Sequence, residues 1–407
     1  MQQHKIIWPI YIKLELNFHY FKYYTFNLTT NKENNMKKLL ATSALTCVAM
    51  LSSVTLSSAQ TTVSGNLALG YKASSTKTPS TAAGKVESFR TFTKESQINL
   101  ANKGKLNTGV DYAAGFSLEF DGNQGTPGLQ VATTNDSLAE ATSENVYFNL
   151  ILGNTTLHIG ADHIQNPDTM LTNIAGGLAD IDEVISGINN QAPLFITSAN
   201  SAYEAYGVGL IHNFGPITAS IYHAPNRTAG QALNNGGNRG SNDVNGTVNA
   251  GADTGESQTE VTLRGNLGVK GLTALAYYGT SDSGSTTTTD KTTGLKVGAR
   301  YNFGAITVAG DYAESETATL STGVTVTTES KSVGLGYAVN KDVTVGLMHT
   351  RSERNTLPGA TEKLTGINIG YNLGPVALNA HIAKGDDVGG VVNSEGKAAL
   401  IHANVAF

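Results

Sequence analysis

The chain closes on Lys397-Ala398-Ala399-Leu400-Ile401-His402-Ala403-Asn404-Val405-Ala406-Phe407. On an extended backbone Ala399, Ile401, Ala403, Val405 and Phe407 fall on one side and alternate with a more polar set that includes His402 and Asn404. A strand that shows one face to lipid and the other to a lumen needs this two-residue period, with no long apolar run. The same period recurs along most of the chain. Val110, Tyr112, Phe116, Leu118 and Phe120 mark one apolar face, and Leu295, Val297, Ala299, Tyr301 and Phe303 another; Asp111, Ser117, Glu119, Lys296 and Arg300 alternate with them and are expected to face inward.

Turn chemistry divides these strands into pairs. Asn213-Phe214-Gly215-Pro216, Asn302-Phe303-Gly304-Ala305 and Asn372-Leu373-Gly374-Pro375 are tight turns between alternating segments. Gly153-Asn154, Val269 to Gly271, Asn340 to Asp342 and Asn102 to Lys105 supply four more. On the opposite side the connections are long and polar, centred on residues 74–87, 121–142, 164–202, 226–256, 281–291, 317–328, 354–361 and 386–396. Seven short turns and eight long loops predict sixteen strands, each long enough for the roughly 9–11 residues that a tilted spanning strand needs. Phe214, Phe303, Tyr371 and Phe407 beside the short turns, and Tyr71, Phe120 and Tyr278 toward the long loops, are placed to form two aromatic girdles.

The amino-terminal region follows a different logic. Met36-Lys37-Lys38 precedes an apolar stretch, Leu39 to Leu56, and Ser57-Ser58-Ala59, the pattern of a secretory signal peptide cleaved before Gln60. The stretch is short for a bilayer-spanning helix and is interrupted by Ser and Thr. Residues 1–35 have no place in that scheme, so the expected organisation is an over-extended start (1–35), a signal peptide (36–59) and one barrel domain (60–407). The only cysteine, Cys47, lies in the signal, which leaves the mature chain without a disulfide or thiolate metal site. Removing the six Lys/Arg and two Asp/Glu of residues 1–59 from totals of 27 and 32 leaves 21 and 30, a charge of −9 that disfavours nucleic acid as a partner. Composition alone, sparse in charge and rich in Gly, Ser, Thr and Asn, also fits a secreted β-solenoid.

The signal peptide, the asymmetry of loops and turns, the sixteen strands and the terminal Phe407 together resemble the Gram-negative general porin family across the whole mature chain. Thr61-Thr62-Val63-Ser64-Gly65-Asn66-Leu67-Ala68-Leu69-Gly70-Tyr71 looks like the first strand of those porins, and Ala399 to Phe407 like the last. The resemblance implies an all-β fold: a transmembrane antiparallel barrel of sixteen strands in the bacterial outer membrane, with the long third loop folded into the lumen. It also implies a homotrimer in contact with outer-membrane lipid and lipopolysaccharide. Sixteen strands leave an aqueous channel, whereas eight are filled by their own side chains.

A channel of that width needs something to set its limit. The third connection, residues 164–202, is the longest, carries Asp168, Asp180, Asp182 and Glu183, and has no Lys or Arg, so it is the expected constriction loop. Met170, Leu171, Ile174, Leu178 and Ile181 give it apolar residues with which to pack, unlike an ordinary solvated surface loop. Strand parity points Arg264, Lys296 and Arg300 into the lumen, with Asp111, Glu119, Asp162, Glu260 and Asp311. Opposed charges across a narrow section orient polar solutes, and the acidic excess favours cations. The family's early-strand arginine cluster has only Arg90 and Lys94 as counterparts, and apolar Phe92, Ile98 and Leu100 share their register, which suggests a bulge or a position above the lipid.

Other chemistry is weakly represented. His158 and His163 face opposite sides of a strand and do not share a metal easily. His381 and His402 both face inward on the last two strands and can meet, although a solvated pair is the ordinary outcome. Asp180, Asp182 and Glu183 lack the spacing of a calcium loop, and neither a phosphate-binding glycine loop nor a nucleophile elbow is present. The sequence therefore predicts a passive, weakly cation-selective diffusion pore without cofactor, metal or catalytic group. The alternatives are a barrel enzyme, or a non-conducting adhesin or structural barrel whose long loops bind partners.

Overall fold

The structure, a computed structural model, describes residues 57–77, 86–119, 142–160, 170–171, 194, 206–224, 257–282, 290–319 and 322–407. The chain divides into two compact units. One is the barrel, Ser58–Lys105 with Gly109–Phe407; the other, Met1–Ser57 with Leu106–Thr108, lies almost wholly outside the described residues.

Sixteen strands form the barrel. They are β1 (Ser57–Lys77), β2 (Val86–Lys105), β3 (Asp111–Glu119), β4 (Thr142–Leu152), β5 (Thr155–Gly160), β6 (Gly207–Asn213), β7 (Ile217–Ala224), β8 (Ser257–Gly265), β9 (Leu272–Asp282), β10 (Asp290–Phe303), β11 (Ile306–Thr319), β12 (Val324–Ala338), β13 (Val343–Arg354), β14 (Glu362–Asn372), β15 (Val376–Asp386) and β16 (Glu395–Ala406). Each pairs with its sequence neighbours, and β1 pairs antiparallel with β16, so the sheet closes on itself. The chain end completes the seam: Gly65 N–H donates to the Phe407 carbonyl at 2.8 Å and Phe407 N–H donates back at 3.0 Å. A Cβ on Gly65 would lie 2.7 Å from Cζ of the Phe407 ring, so the terminal aromatic lies over a position that only glycine leaves open.

Alternation is clearest on β14. Glu362 and Leu364 are fully buried on the inner side, whereas Ile367 and Ile369 are about half exposed on the outer side, at 53% and 47%. Leu335, Leu347, Ile367 and Ile382 lie opposite one another in register across β12 to β15, an apolar row that water would penalise and lipid accepts. Toward the long loops the same outer face turns charged: Lys331 pairs with Arg351, Arg351 with Lys363, and Lys384 with Lys397. Tyr371, Phe303, Phe214 and Phe407 are exposed near the short turns, and Tyr71 and Tyr278 on the side of the long loops, as the girdles require; Phe120 lies outside the described residues.

The Asn-x-Gly turns close as their chemistry demands. Gly215, Gly304 and Gly374 take φ of 74°, 61° and 86°, and Asn372 Oδ1 accepts the Gly374 N–H at 2.9 Å. Two expected connections fall elsewhere. Asn102 to Lys105 is strand, not turn, and the reversal comes between Lys105 and Asp111 with Gly109 at φ 84°. Asn102 and Gly104 read as turn residues, but Gly104 makes room for the Tyr112 ring and Asn102 Oδ1 accepts the Tyr112 hydroxyl at 2.8 Å, a cross-strand arrangement that holds the segment in the sheet. The loop expected at residues 317–328 shrinks because β11 and β12 remain paired to Thr319 opposite Val324; the polar but β-branched Thr and Val of this stretch favour strand. The first strand begins at Ser57, within the segment expected to be cleaved.

Gly65→Val should force the Phe407 ring and the β1–β16 seam apart at a cost of about 1–3 kcal/mol, the usual range for overpacking. Heat-dependent gel mobility checks this. The variant should lose its compact, fast-migrating form at a lower temperature than the parent, and an unchanged transition would mean that the seam does not depend on this contact.

Candidate pore constriction

The lumen-facing side of β8 to β11 carries the charges. Gly298 on β10 lies opposite Leu275 on β9 and Asp311 on β11, and Arg264 on β8 lies opposite Leu275 from the other side. Lys296 and Arg300 flank Gly298 two residues away on the same face. The register thus gathers Arg264, Lys296 and Arg300 around a glycine gap, with Asp311 beside it. Further along the same face Glu260 Oε2 accepts the Tyr277 hydroxyl at 3.0 Å.

Two residues of the third connection, Met170 and Leu171, lie at this gap. Met170 N–H donates to Asp311 Oδ2 at 2.8 Å, and Met170 Cγ lies 2.7 Å from where a Cβ on Gly298 would be, so any larger residue at position 298 would displace it. Met170 and Leu171 join an apolar cluster with the inward residues Leu275, Ala309, Met348, Leu364 and Leu400. Such a cluster inside a water-filled lumen is stable only where something covers it, and the two loop residues do so.

A second anchor lies toward the long loops. Leu194 N–H donates to Glu362 Oε2 at 3.0 Å, and the same oxygen accepts Gly389 N–H at 2.8 Å. Glu362 is fully buried, so one carboxylate ties the third connection to the 3-10 turn Val388–Gly390 in the last one. A carboxylate that accepts backbone N–H groups makes charge-assisted bonds, stronger than neutral ones.

The remaining expected residues are distributed as follows. Asp168, Asp180, Asp182 and Glu183 lie outside the described residues, as do Asp162 and His163. Glu119 is the last residue of β3, opposite Gln97 on β2. Asp111 stands at the short-turn rim, paired with Lys105 at 2.6 Å, and not beside Met170. Arg90 shares its strand parity with Phe92, which is 85% exposed and meets Tyr71 edge to face on the outer wall, whereas Lys72 on β1 has the inward parity opposite Leu400, so inward cations lie on β1 as well as on β8 and β10. Gly298 and Glu362 are not singled out by the sequence reading. The available signal was an acidic residue at the inward start of a strand, Glu362 before Leu364, and a glycine between two inward cations.

The comparisons agree with this architecture. The family model described as Gram-negative porin matches residues 41–387. The fold is similar to that of the anion-selective porin from Comamonas acidovorans, at 14% identity and TM-score 0.58, covering 86% of this chain and 100% of that one. It is also similar to the trimer form of OmpT from Vibrio cholerae, at 11% identity and TM-score 0.55 with the same coverage, and to a mutant Rh. blastica porin, at 14% identity, TM-score 0.52 and the same coverage. No curated protein sequence matches the chain significantly.

Replacing Asp311 and Glu362 together with Ala removes acceptors whose charged hydrogen bonds are each worth about 1.5–3 kcal/mol. The third connection should then fluctuate, which open-channel current noise in a planar bilayer would record as a several-fold rise. Noise equal to that of the parent would mean that other contacts hold the loop.

Proposed function

We propose, because the chain belongs to the Gram-negative porin family and forms an outer-membrane channel, that ions and small hydrophilic solutes cross its lumen by passive diffusion with a weak preference for cations. The observation that carries this reading is the bond from Met170 to Asp311, which holds the third connection against the cationic wall of Arg264, Lys296 and Arg300. The acidic residues of that connection, Asp168, Asp180, Asp182 and Glu183, would form the opposite side of the narrow section, so that a transverse field orients polar solutes and disfavours apolar ones. The mature charge of −9 supports the preference for cations. A non-conducting adhesin or structural barrel is not favoured by the family match, and the reading assigns no catalysis.

Removal of the leader after Ala59 would leave Gln60 to Phe407 as the mature barrel. Homotrimers are the proposed assembly, supported by the trimer form of the structurally similar Vibrio cholerae OmpT. Beyond the apolar row toward the long loops the outer wall carries Lys363 and Lys397 beside the ion pairs Lys331–Glu329, Arg351–Glu353 and Lys384–Asp386, a charged belt that suits the headgroups of lipopolysaccharide in the outer leaflet.

Deleting Asn173 to Asn189 should raise single-channel conductance, and neutralising Asp180, Asp182 and Glu183 should move the reversal potential in a salt gradient toward zero. An unchanged conductance would remove the constriction assignment, and an unchanged reversal potential would remove the role of the acids.

A further inference from the structure

We propose that His381 and His402 form a binding site in the lumen wall for a borderline divalent transition-metal ion of the zinc, nickel or copper class. On β15 and β16 His402 lies opposite Asn379, and His381 is two residues further along the same inward face, so the two imidazoles are diagonal cross-strand neighbours. That spacing is within reach of long or aromatic side chains. Gly70 faces His402 across the seam and leaves room beside it; Asn379, Leu400 and Asn368 are the other cross-strand neighbours, and Lys72 lies beyond Leu400 on the same inward face.

The hydrogen bonding prepares the ligand atoms. His381, 2% exposed, shares its Nδ1 with Asn368 Oδ1 at 2.7 Å. That amide orientation is consistent with Asn368 Nδ2 lying 3.9 Å from Met348 Sδ. An amide oxygen only accepts, so Nδ1 carries the proton and Nε2 presents its lone pair. The Nε2 atoms of both His381 and His402 are buried without a hydrogen-bond partner, which is costly for a polar nitrogen unless a ligand takes up the lone pair. An imidazole oriented by a hydrogen bond at its other nitrogen is the usual arrangement of a metal-ligating histidine, with Asn368 as the positioning residue. Imidazole favours zinc, copper and nickel over the hard ions magnesium and calcium. Among the described residues no third His, Cys, Asp or Glu joins the pair, so the site would have two imidazole ligands with water in the ion's other positions. Such a two-ligand site would be labile and would add a positive charge to the wall at β15 and β16.

Calorimetric titration of Zn²⁺ into the folded full barrel in detergent, with Mg²⁺ as the control, tests the site. One saturable zinc site per protomer is expected, absent in His381→Gln and in His402→Gln and weakened about tenfold or more in Asn368→Ala. His349→Gln, whose histidine lies on the outer wall beside Thr365, should keep it. Heat-dependent gel mobility shows which variants are folded, and either histidine variant alone suffices if the other misfolds. No saturable zinc binding, or binding that persists in a folded histidine variant, overturns the proposal. The readout is heat rather than current, so a negative result leaves the diffusion pore standing, and a barrel that binds zinc without conducting counts against the pore alone.

Discussion

Closure of the backbone hydrogen-bond ladder is the constraint on which the rest of the structure depends. A polar backbone group left open in hydrocarbon costs several kcal/mol, and a sheet with two free edges would leave whole rows of them. Pairing β1 with β16 removes the edges, and the reciprocal bonds of Gly65 and Phe407 extend the seam to the last residue. Closure then fixes everything on the wall: once the register is set, each residue faces either lipid or lumen, and a slip of one residue would exchange the two. The apolar row from Leu335 to Ile382 and the inward charges of β8 to β11 are two consequences of the same ladder.

Glycine makes the wall accommodating where bulk must pass. Gly104 receives the Tyr112 ring and Gly207 the Tyr222 ring, whose hydroxyl reaches the Gly160 carbonyl at 2.7 Å. Gly298 plays the same part for a loop rather than a neighbouring strand, because Met170 settles where a side chain would otherwise project. Met170 is therefore held by shape at Gly298 and by charge at Asp311, and Leu194 by charge at Glu362, each carboxylate accepting a backbone N–H group.

The strands were legible in the sequence because a wall with two solvents imposes a period of two, and most turns were legible because Asn and Gly tolerate positive φ. The reading failed where local chemistry conflicted with pairing. Asn102 and Gly104 carry turn residues into a strand because Tyr112 needs them there, and the Thr-rich ends of β11 and β12 are polar yet remain paired. Parity gave the direction of Arg264, Lys296, Arg300 and Asp311, but not their company: that Gly298 lies between Leu275 and Asp311 follows from register across three strands. Glu362 carries only the faint signature of an acid at the inward start of a strand, since its role comes from two loops distant in sequence.

The central claim is that this closed wall encloses an open, water-filled path, and single-channel recording of the folded barrel in a planar bilayer tests it most directly. Stepwise, ohmic openings that arrive in groups of three, with a small reversal potential of cationic sign in a salt gradient, are the predicted result. A barrel that migrates as folded yet passes no current would contradict it, because the lumen would then be closed by its own loops.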